Sequence, residues 1–234
     1  MTASPSSSNR PVLLIHGFGS STDSLWGKAG WLDALEAEGR VVIGVDLPGH
    51  GTETGKPFRD PADLLIEQAA KHGSVDAVGF SAGSWALLVA ASERPELFTR
   101  IAVLGAGDMV LTQELHTPAM QQPMIDALRS AEEPKDDPMA TAILGLLAQA
   151  GNERSAAADY LAAQKRFPSL QDLAHITATT LVVEGSQDEA GPSELVAKTI
   201  PHSERLRIEG PNHFALPVDE RSRTSVISFL NRTA

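Results

Sequence analysis

A serine set between small residues on a turn from strand to helix is the most chemically loaded feature of the chain. Gly79-Phe80-Ser81-Ala82-Gly83 continues the apolar run 75–80 and leads into the helix-like stretch 84–93. A sharp turn of that kind holds its serine in a strained backbone conformation and lifts the hydroxyl above the sheet edge, while the helix that starts there aims free N–H groups at the same place. The chemistry on offer is nucleophilic attack on a carbonyl carbon. A second glycine-rich turn, His16-Gly17-Phe18-Gly19, follows the run 12–15. The backbone N–H of Phe18, paired with that of Ala82, would form an oxyanion hole for the oxygen that becomes negative in such an attack. Each motif alone also reads as a plain chain reversal; the strand and helix flanking Ser81 favour the reactive reading.

Such turns need a sheet to stand on. Short β-branched apolar runs recur at 12–15, 41–45, 75–80, 101–104, 181–184 and 205–208, most of them closed by glycine or a turn signal, the pattern of strands buried on both faces. Helix-like stretches at 25–38, 61–72, 84–93 and 220–231 alternate with them, which predicts an α/β fold with a mostly parallel central sheet flanked by helices. The alternation breaks at 108–175, where Pro118, Pro123, Pro134, Pro138 and Pro168 separate Ala- and Leu-rich segments. Helices are expected there at 123–131, 138–150 and 155–166, with proline at or near their starts. The expected organisation is a flexible tail at 1–9, a core at 10–107 and 176–234, and a helical cap insertion at 108–175.

His16-Gly17-Phe18-Gly19, then Asp46-Leu47-Pro48-Gly49-His50-Gly51, then Gly79-Phe80-Ser81-Ala82-Gly83 resemble the ordered signatures of the α/β-hydrolase fold family, in particular bacterial carboxylesterases and lipases. The resemblance extends over nearly all of the chain outside the insertion. It implies an acid after a late strand and a histidine shortly before the last helix. Asp188, in the turn after 181–184, and His213, in Gly210-Pro211-Asn212-His213-Phe214, stand at those places, so the resemblance implies a catalytic triad of Ser81, Asp188 and His213. Phe80 before the serine, where histidine is commoner, and Ser84, where a second glycine is frequent, depart from the pattern without removing a reactive group.

Other residues compete for these roles. His16 and His50 lie in motif turns, and His72, His116, His175 and His202 have no motif context. For the acid, Asp108 after the run 101–104 and Glu184 at its own strand end are the rivals; Asp108 also reads as a cap on the first helix or turn of the insertion. Asp46 reads as a loop-stabilising residue. Trp26, Trp31 and Trp85 read as core more readily than as pocket lining.

Composition narrows the classes further. The chain has 234 residues, 42% of them hydrophobic, with a formal charge of −11, which suits one globular domain carrying a small insertion and disfavours phosphate backbones or anionic membranes as partners. It has no cysteine, hence no disulfides and no thiolate, and a cytoplasmic location is expected. The start at 1–9 lacks the charge and apolar run of a signal peptide, and no run is long enough to span a bilayer. The segment Gly51-Thr52-Glu53-Thr54-Gly55-Lys56-Pro57 has the wrong spacing for a phosphate loop and a proline where a magnesium-binding hydroxyl is needed. No cofactor and no metal is implied.

The expected activity is hydrolysis of a small-molecule carboxylic ester through an acyl-enzyme, by a monomer or homodimer. The alternatives are a hydrolase of the same fold acting on lactones or C–C bonds, and a non-enzymatic ligand receptor. Phe18, Met109, Met124 and Met139 are expected to line the substrate pocket, with Met120 a further candidate; an internal cap core explains the methionines equally.

Overall fold

The computed structural model describes residues 10–112, 117–132, 134 and 137–232. The tail expected at 1–9 and the candidate His116 lie outside them. The chain runs β1 (Val12–Ile15), α1 (Trp31–Ala37), β2 (Val42–Val45), α2 (Pro61–Ala70), β3 (Val75–Phe80), α3 (Ala82–Glu93) and β4 (Phe98–Leu104). Helices α4 (Pro118–Arg129), α5 (Pro138–Ala150), α6 (Arg154–Ala163) and α7 (Leu170–Ala174) follow, and β5 (Thr179–Gln187), α8 (Glu194–Thr199), β6 (Ser203–Asn212) and α9 (Glu220–Leu230) complete the order. The six strands form one sheet in the order β2-β1-β3-β4-β5-β6, and every neighbouring pair is parallel. This is the predicted α/β architecture.

The two-residue period of a strand explains its layers. In β1 all four side chains are buried, with Leu13 and Ile15 in a core shared with α2, α3, α7 and α8. Val12 and Leu14 point the other way, into a core with Trp26, α1 and α9. Each fully buried aliphatic side chain of this kind stabilises the fold by about 1.5–3 kcal/mol. A third, smaller cluster joins α4, α5 and α6 through Ile125, Leu128, Ile143, Leu144, Leu147, Ala157 and Ala158.

Several element expectations need correction. The single helix expected at 25–38 is two pieces: a wide π-type turn at Thr22–Gly27, capped by Ser21, and then α1. Gly30 stands between them in the left-handed region (φ 72°), a conformation that costs glycine little and interrupts the helical path. The helix expected to start at Pro123 starts at Pro118 and carries Pro123 inside it. Pro118 occupies the position where a missing N–H is harmless, and Pro123 forfeits one internal bond in a helix that packs on α6. Helices α7 and α8 were not foreseen. A capping box between Ser169 and Asp172 starts α7, and α8 has only six residues.

Asp108 does not cap its own turn. Its carboxylate accepts the backbone N–H groups of Leu195 at 3.0 Å and Val196 at 2.9 Å, so it caps α8 from across the sheet edge. No helix among the described residues is long and apolar enough to cross a membrane.

Candidate active site

Ser81 sits between the last residue of β3 and the first of α3, with φ 51° and ψ −118°. Among the described residues it is the sole non-glycine at positive φ, a conformation that costs about 1–3 kcal/mol and persists only where the surroundings enforce it. The enforcement is visible. A Cβ on Gly79 would lie 2.7 Å from the Gly83 carbonyl oxygen, and one on Gly83 would lie 2.5 Å from the carbonyl oxygens of Ile15 and His16. Only glycine lets the strand, the turn and the helix approach this closely. The Ser81 N–H donates to the Leu104 carbonyl at 2.9 Å, which ties the turn to β4. The Ser84 hydroxyl donates to the same carbonyl, also at 2.9 Å.

The elements that follow β5 and β6 bring two more groups to the serine. His213 Nε2 lies 2.9 Å from Ser81 Oγ, and His213 Nδ1 lies 2.9 Å from Asp188 Oδ1. A carboxylate only accepts, so Nδ1 carries the hydrogen and the Nε2 lone pair faces the serine hydroxyl, which donates to it. The Ala190 N–H donates to the same Asp188 oxygen at 2.8 Å, and Asp188 Oδ2 is buried without a partner among the described residues. Glu189, which sequence reasoning passed over, accepts the His213 backbone N–H at 3.2 Å. The rings of Phe80 and Phe214 flank the imidazole at 4.9 and 5.4 Å.

The competing residues are engaged elsewhere. Glu184 accepts from the Ser193 N–H at 2.6 Å and from Arg205 at 2.7 Å. His72, His175 and His202 are exposed. His16 and His50 are fully buried. Burial holds both below the ordinary histidine range, His50 at about 3, so both are neutral. Each uses one ring nitrogen to accept a backbone N–H: His16 from Leu47 at 3.0 Å and His50 from Gly19 at 3.1 Å. Asp46 accepts the backbone N–H groups of Thr22 and Thr52 at 2.8 Å each. Burial pushes its carboxyl up, but these bonds outweigh it and leave the group below its ordinary value.

A cavity of about 320 Å³ opens over Ser81 and His213. Phe18, Ala82, Met109, Met120, Met124 and Met139 all lie on its wall. So do Trp85, Tyr160, Gln164 and Phe167, which carried no lining signal in the sequence beyond the mention of Trp85. Trp26 and Trp31 are core residues. No Lys or Arg is among the described residues that line the cavity, and Glu189 is the one carboxylate among them. The backbone N–H groups of Phe18 and Ala82 donate to no acceptor among the described residues. No group of three or more His, Asp or Glu among those residues could hold a metal ion.

A model of the alpha/beta hydrolase family matches residues 12–225. No curated protein matches the sequence. Among solved structures, the chain is similar to an esterase from Exiguobacterium antarcticum, with TM-score 0.75 and 20% identity over 95% of this chain and 92% of that one. It is similar to MenH from S. aureus, with TM-score 0.74 and 19% identity over 97% and 94%. It is also similar to a bromoperoxidase from Bacillus anthracis, with TM-score 0.71 and 20% identity over 95% and 91%. At these identities the likeness is one of fold.

Proposed function

This chain belongs to the α/β-hydrolase family, and from that premise we propose that it is a serine hydrolase that cleaves carboxylic esters through an acyl-enzyme. The observation that carries the reading is the relay of two 2.9 Å contacts, Ser81 Oγ to His213 Nε2 and His213 Nδ1 to Asp188 Oδ1, at the head of an apolar cavity. Ser81 Oγ attacks the acyl carbon as its proton passes to His213 Nε2, and Asp188 holds the resulting imidazolium in place. The carbonyl oxygen, now negative, accepts from the Phe18 and Ala82 N–H groups, which have no competing acceptor among the described residues. His213 then returns the proton to the departing alkoxide. Water, deprotonated by the same nitrogen, releases the acid.

The cavity supports a neutral, apolar acyl group. A carboxylate on the substrate would enter a site without a described cation and with Glu189 already on the wall, and burying an unpaired charge is costly. At about 30 Å³ for a water-sized group, 320 Å³ holds on the order of ten non-hydrogen atoms, so a medium-length acyl chain fits and a palmitoyl chain protrudes.

The test is hydrolysis of p-nitrophenyl esters from acetyl to palmitoyl by the wild type and by Ser81→Ala. The reading expects multiple turnovers with a maximum at medium length and a loss of about 10⁴-fold or more in the variant. Activity that survives in Ser81→Ala would overturn the mechanism, and ligand binding without turnover across the whole series would favour a receptor.

A further inference from the structure

The two oxyanion donors of the proposed mechanism are held by different means. Ala82 is the first residue of α3 and inherits its orientation from the elbow. Phe18 lies in a turn outside any helix or strand, closed by a bond from the Ser20 N–H to the Gly17 carbonyl at 3.2 Å. What fixes that turn comes from outside it.

On one side, the Gly19 N–H donates to His50 Nε2 at 3.1 Å. On the other, the Gly19 carbonyl accepts from Asn152 Nδ2 at 3.2 Å, and the Ser20 carbonyl accepts from the same amide at 2.7 Å. Asn152 Oδ1 in turn accepts the Gly51 N–H at 2.8 Å. Asn152 sits in the connection between α5 and α6 and is 8% exposed. One buried carboxamide from the inserted helices therefore joins the Phe18 turn to the 46–51 loop and satisfies three peptide groups. Its orientation is fixed, because the reverse placement would set the amide oxygen against two carbonyls.

The same helices grip the Phe18 side chain. Its ring stacks on Tyr160 of α6 at 5.7 Å and meets His50 edge-on at 5.3 Å. Close backbone packing leaves this contact no slack: a Cβ on Gly49 would lie 2.8 Å from the Ala156 carbonyl oxygen of α6.

We infer that Asn152 is a positioning residue for the oxyanion hole, by which the α5–α6 connection sets the direction of the Phe18 N–H. The inference rests on the serine-hydrolase reading above. Leucine at 152 removes all three bonds. Aspartate keeps the acceptor for Gly51 but places a carboxylate oxygen against two carbonyls, so shape alone does not restore the clamp. A donor displaced by a fraction of its bond length loses most of its worth to the transition state and little of its worth to the ground state.

The experiment compares wild type, Asn152→Leu, Asn152→Asp and Leu128→Ala. The last weakens the small core of the inserted helices, against which the Phe18 side chain also packs, but removes none of the three Asn152 bonds. A fluorophosphonate titration of Ser81 counts competent enzyme in each, and rates are normalised to it. The expected result is a fall of about 10- to 100-fold in kcat for both Asn152 variants, with KM changed by less than about threefold. Affinity for an alkyl boronic acid, which becomes tetrahedral on Ser81, should fall in parallel. Leu128→Ala should lower thermal stability and leave normalised kcat and boronate affinity near wild type.

Unchanged kcat and boronate affinity in both Asn152 variants would overturn the inference, as would a Leu128→Ala loss as large as theirs. Failure of both Asn152 variants to give any titratable protein would mark a folding role and overturn it too. A wild type in which Ser81 takes no label would sink the hydrolase reading itself, and that result is distinct from all of these.

Discussion

At the start of β3, Asp76 is fully buried with both oxygens occupied: Oδ2 by Arg40 at 2.5 Å, and Oδ1 by Arg10 at 3.3 Å and the Arg100 N–H at 3.1 Å. Arg40 spends its remaining donors on the Arg10 and Leu230 carbonyls and on Asn231. Just past the other end of the same strand, Ser81 is held at positive φ beside a cavity whose wall includes Gln164, and neither Gln164 Oε1 nor Asp188 Oδ2 has a partner among the described residues. A buried polar group with every partner in place specifies and stiffens a fold. Groups left unpaired and backbone held under strain cost stability, and they are tolerated where something other than stability is selected. On the proposed function the two ends of β3 divide the labour: one secures the strand, the other is kept available for chemistry.

The sharpest way to break that division is to exchange the effects. Ser81→Ala should cost about 10⁴-fold or more in kcat and shift the urea midpoint by no more than the equivalent of about 0.5 kcal/mol. Asp76→Asn should do the reverse. It leaves two guanidinium groups at the buried end without their counter-charge, at a cost of about 3–5 kcal/mol by urea unfolding, while kcat per titratable Ser81 stays at the wild-type value. A fall in normalised kcat for Asp76→Asn would mean that the two ends are coupled through the strand.

The same contrast accounts for what was legible in the residues. The elbow is readable because its requirements are local: glycines at 79 and 83 permit the close approach, and an apolar run before and a helical stretch after announce the turn. The parallel sheet is readable because a strand buried on both faces is apolar throughout, as in β1, or nearly so, as in β3, where Asp76 is the exception. The α1 region failed because a hydrophobic period continues across Gly27 and Gly30 while the backbone does not. Asp108, Tyr160 and Asn152 are opaque for a different reason. Their partners lie far off in the chain, and those of Tyr160 and Asn152 are met only once α5 and α6 pack on the rest of the chain. The methionines at 109, 124 and 139 are readable only through composition, which says that such residues seek an apolar surface but not which one.

A pH titration of stability sharpens the comparison at an intermediate scale, because the loops at the reactive end are tied by neutral histidines and not by ion pairs. Burial holds His16 below its ordinary value and His50 at about 3. A group whose pKa is depressed by folding binds its proton more readily when unfolded. Stability is therefore fully present above about 6.5 and declines as the pH falls from there towards about 3, by up to about 1.4 kcal/mol per pH unit for each such histidine. Between pH 6.5 and 5.5 ordinary carboxylates stay largely ionised, so the loss in that window, about 1 kcal/mol from His50 alone, belongs mainly to the imidazoles. Urea midpoints for His50→Gln should be flatter across the window than those of wild type. Parallel curves would assign the loss to other groups.

Gln164 offers the smallest and most discriminating change. Its Nε2 donates to the Arg166 carbonyl at 2.6 Å, while Oε1 is buried at the cavity wall with no partner among the described residues. An orphaned acceptor costs about 1–3 kcal/mol and the bond to Arg166 returns about 0.5–1.5 kcal/mol. Gln164→Met nearly conserves volume, so the net effect on the urea midpoint should be neutral to stabilising, by about 1 kcal/mol at most. The KM for a medium-chain p-nitrophenyl ester should stay level or fall as the wall becomes more apolar. A gain or no change would place Gln164 with the groups that the reactive end carries at the expense of stability. A loss above about 1 kcal/mol would place it with Asp76, as part of the frame, and the division between the two ends would then stop short of the cavity wall.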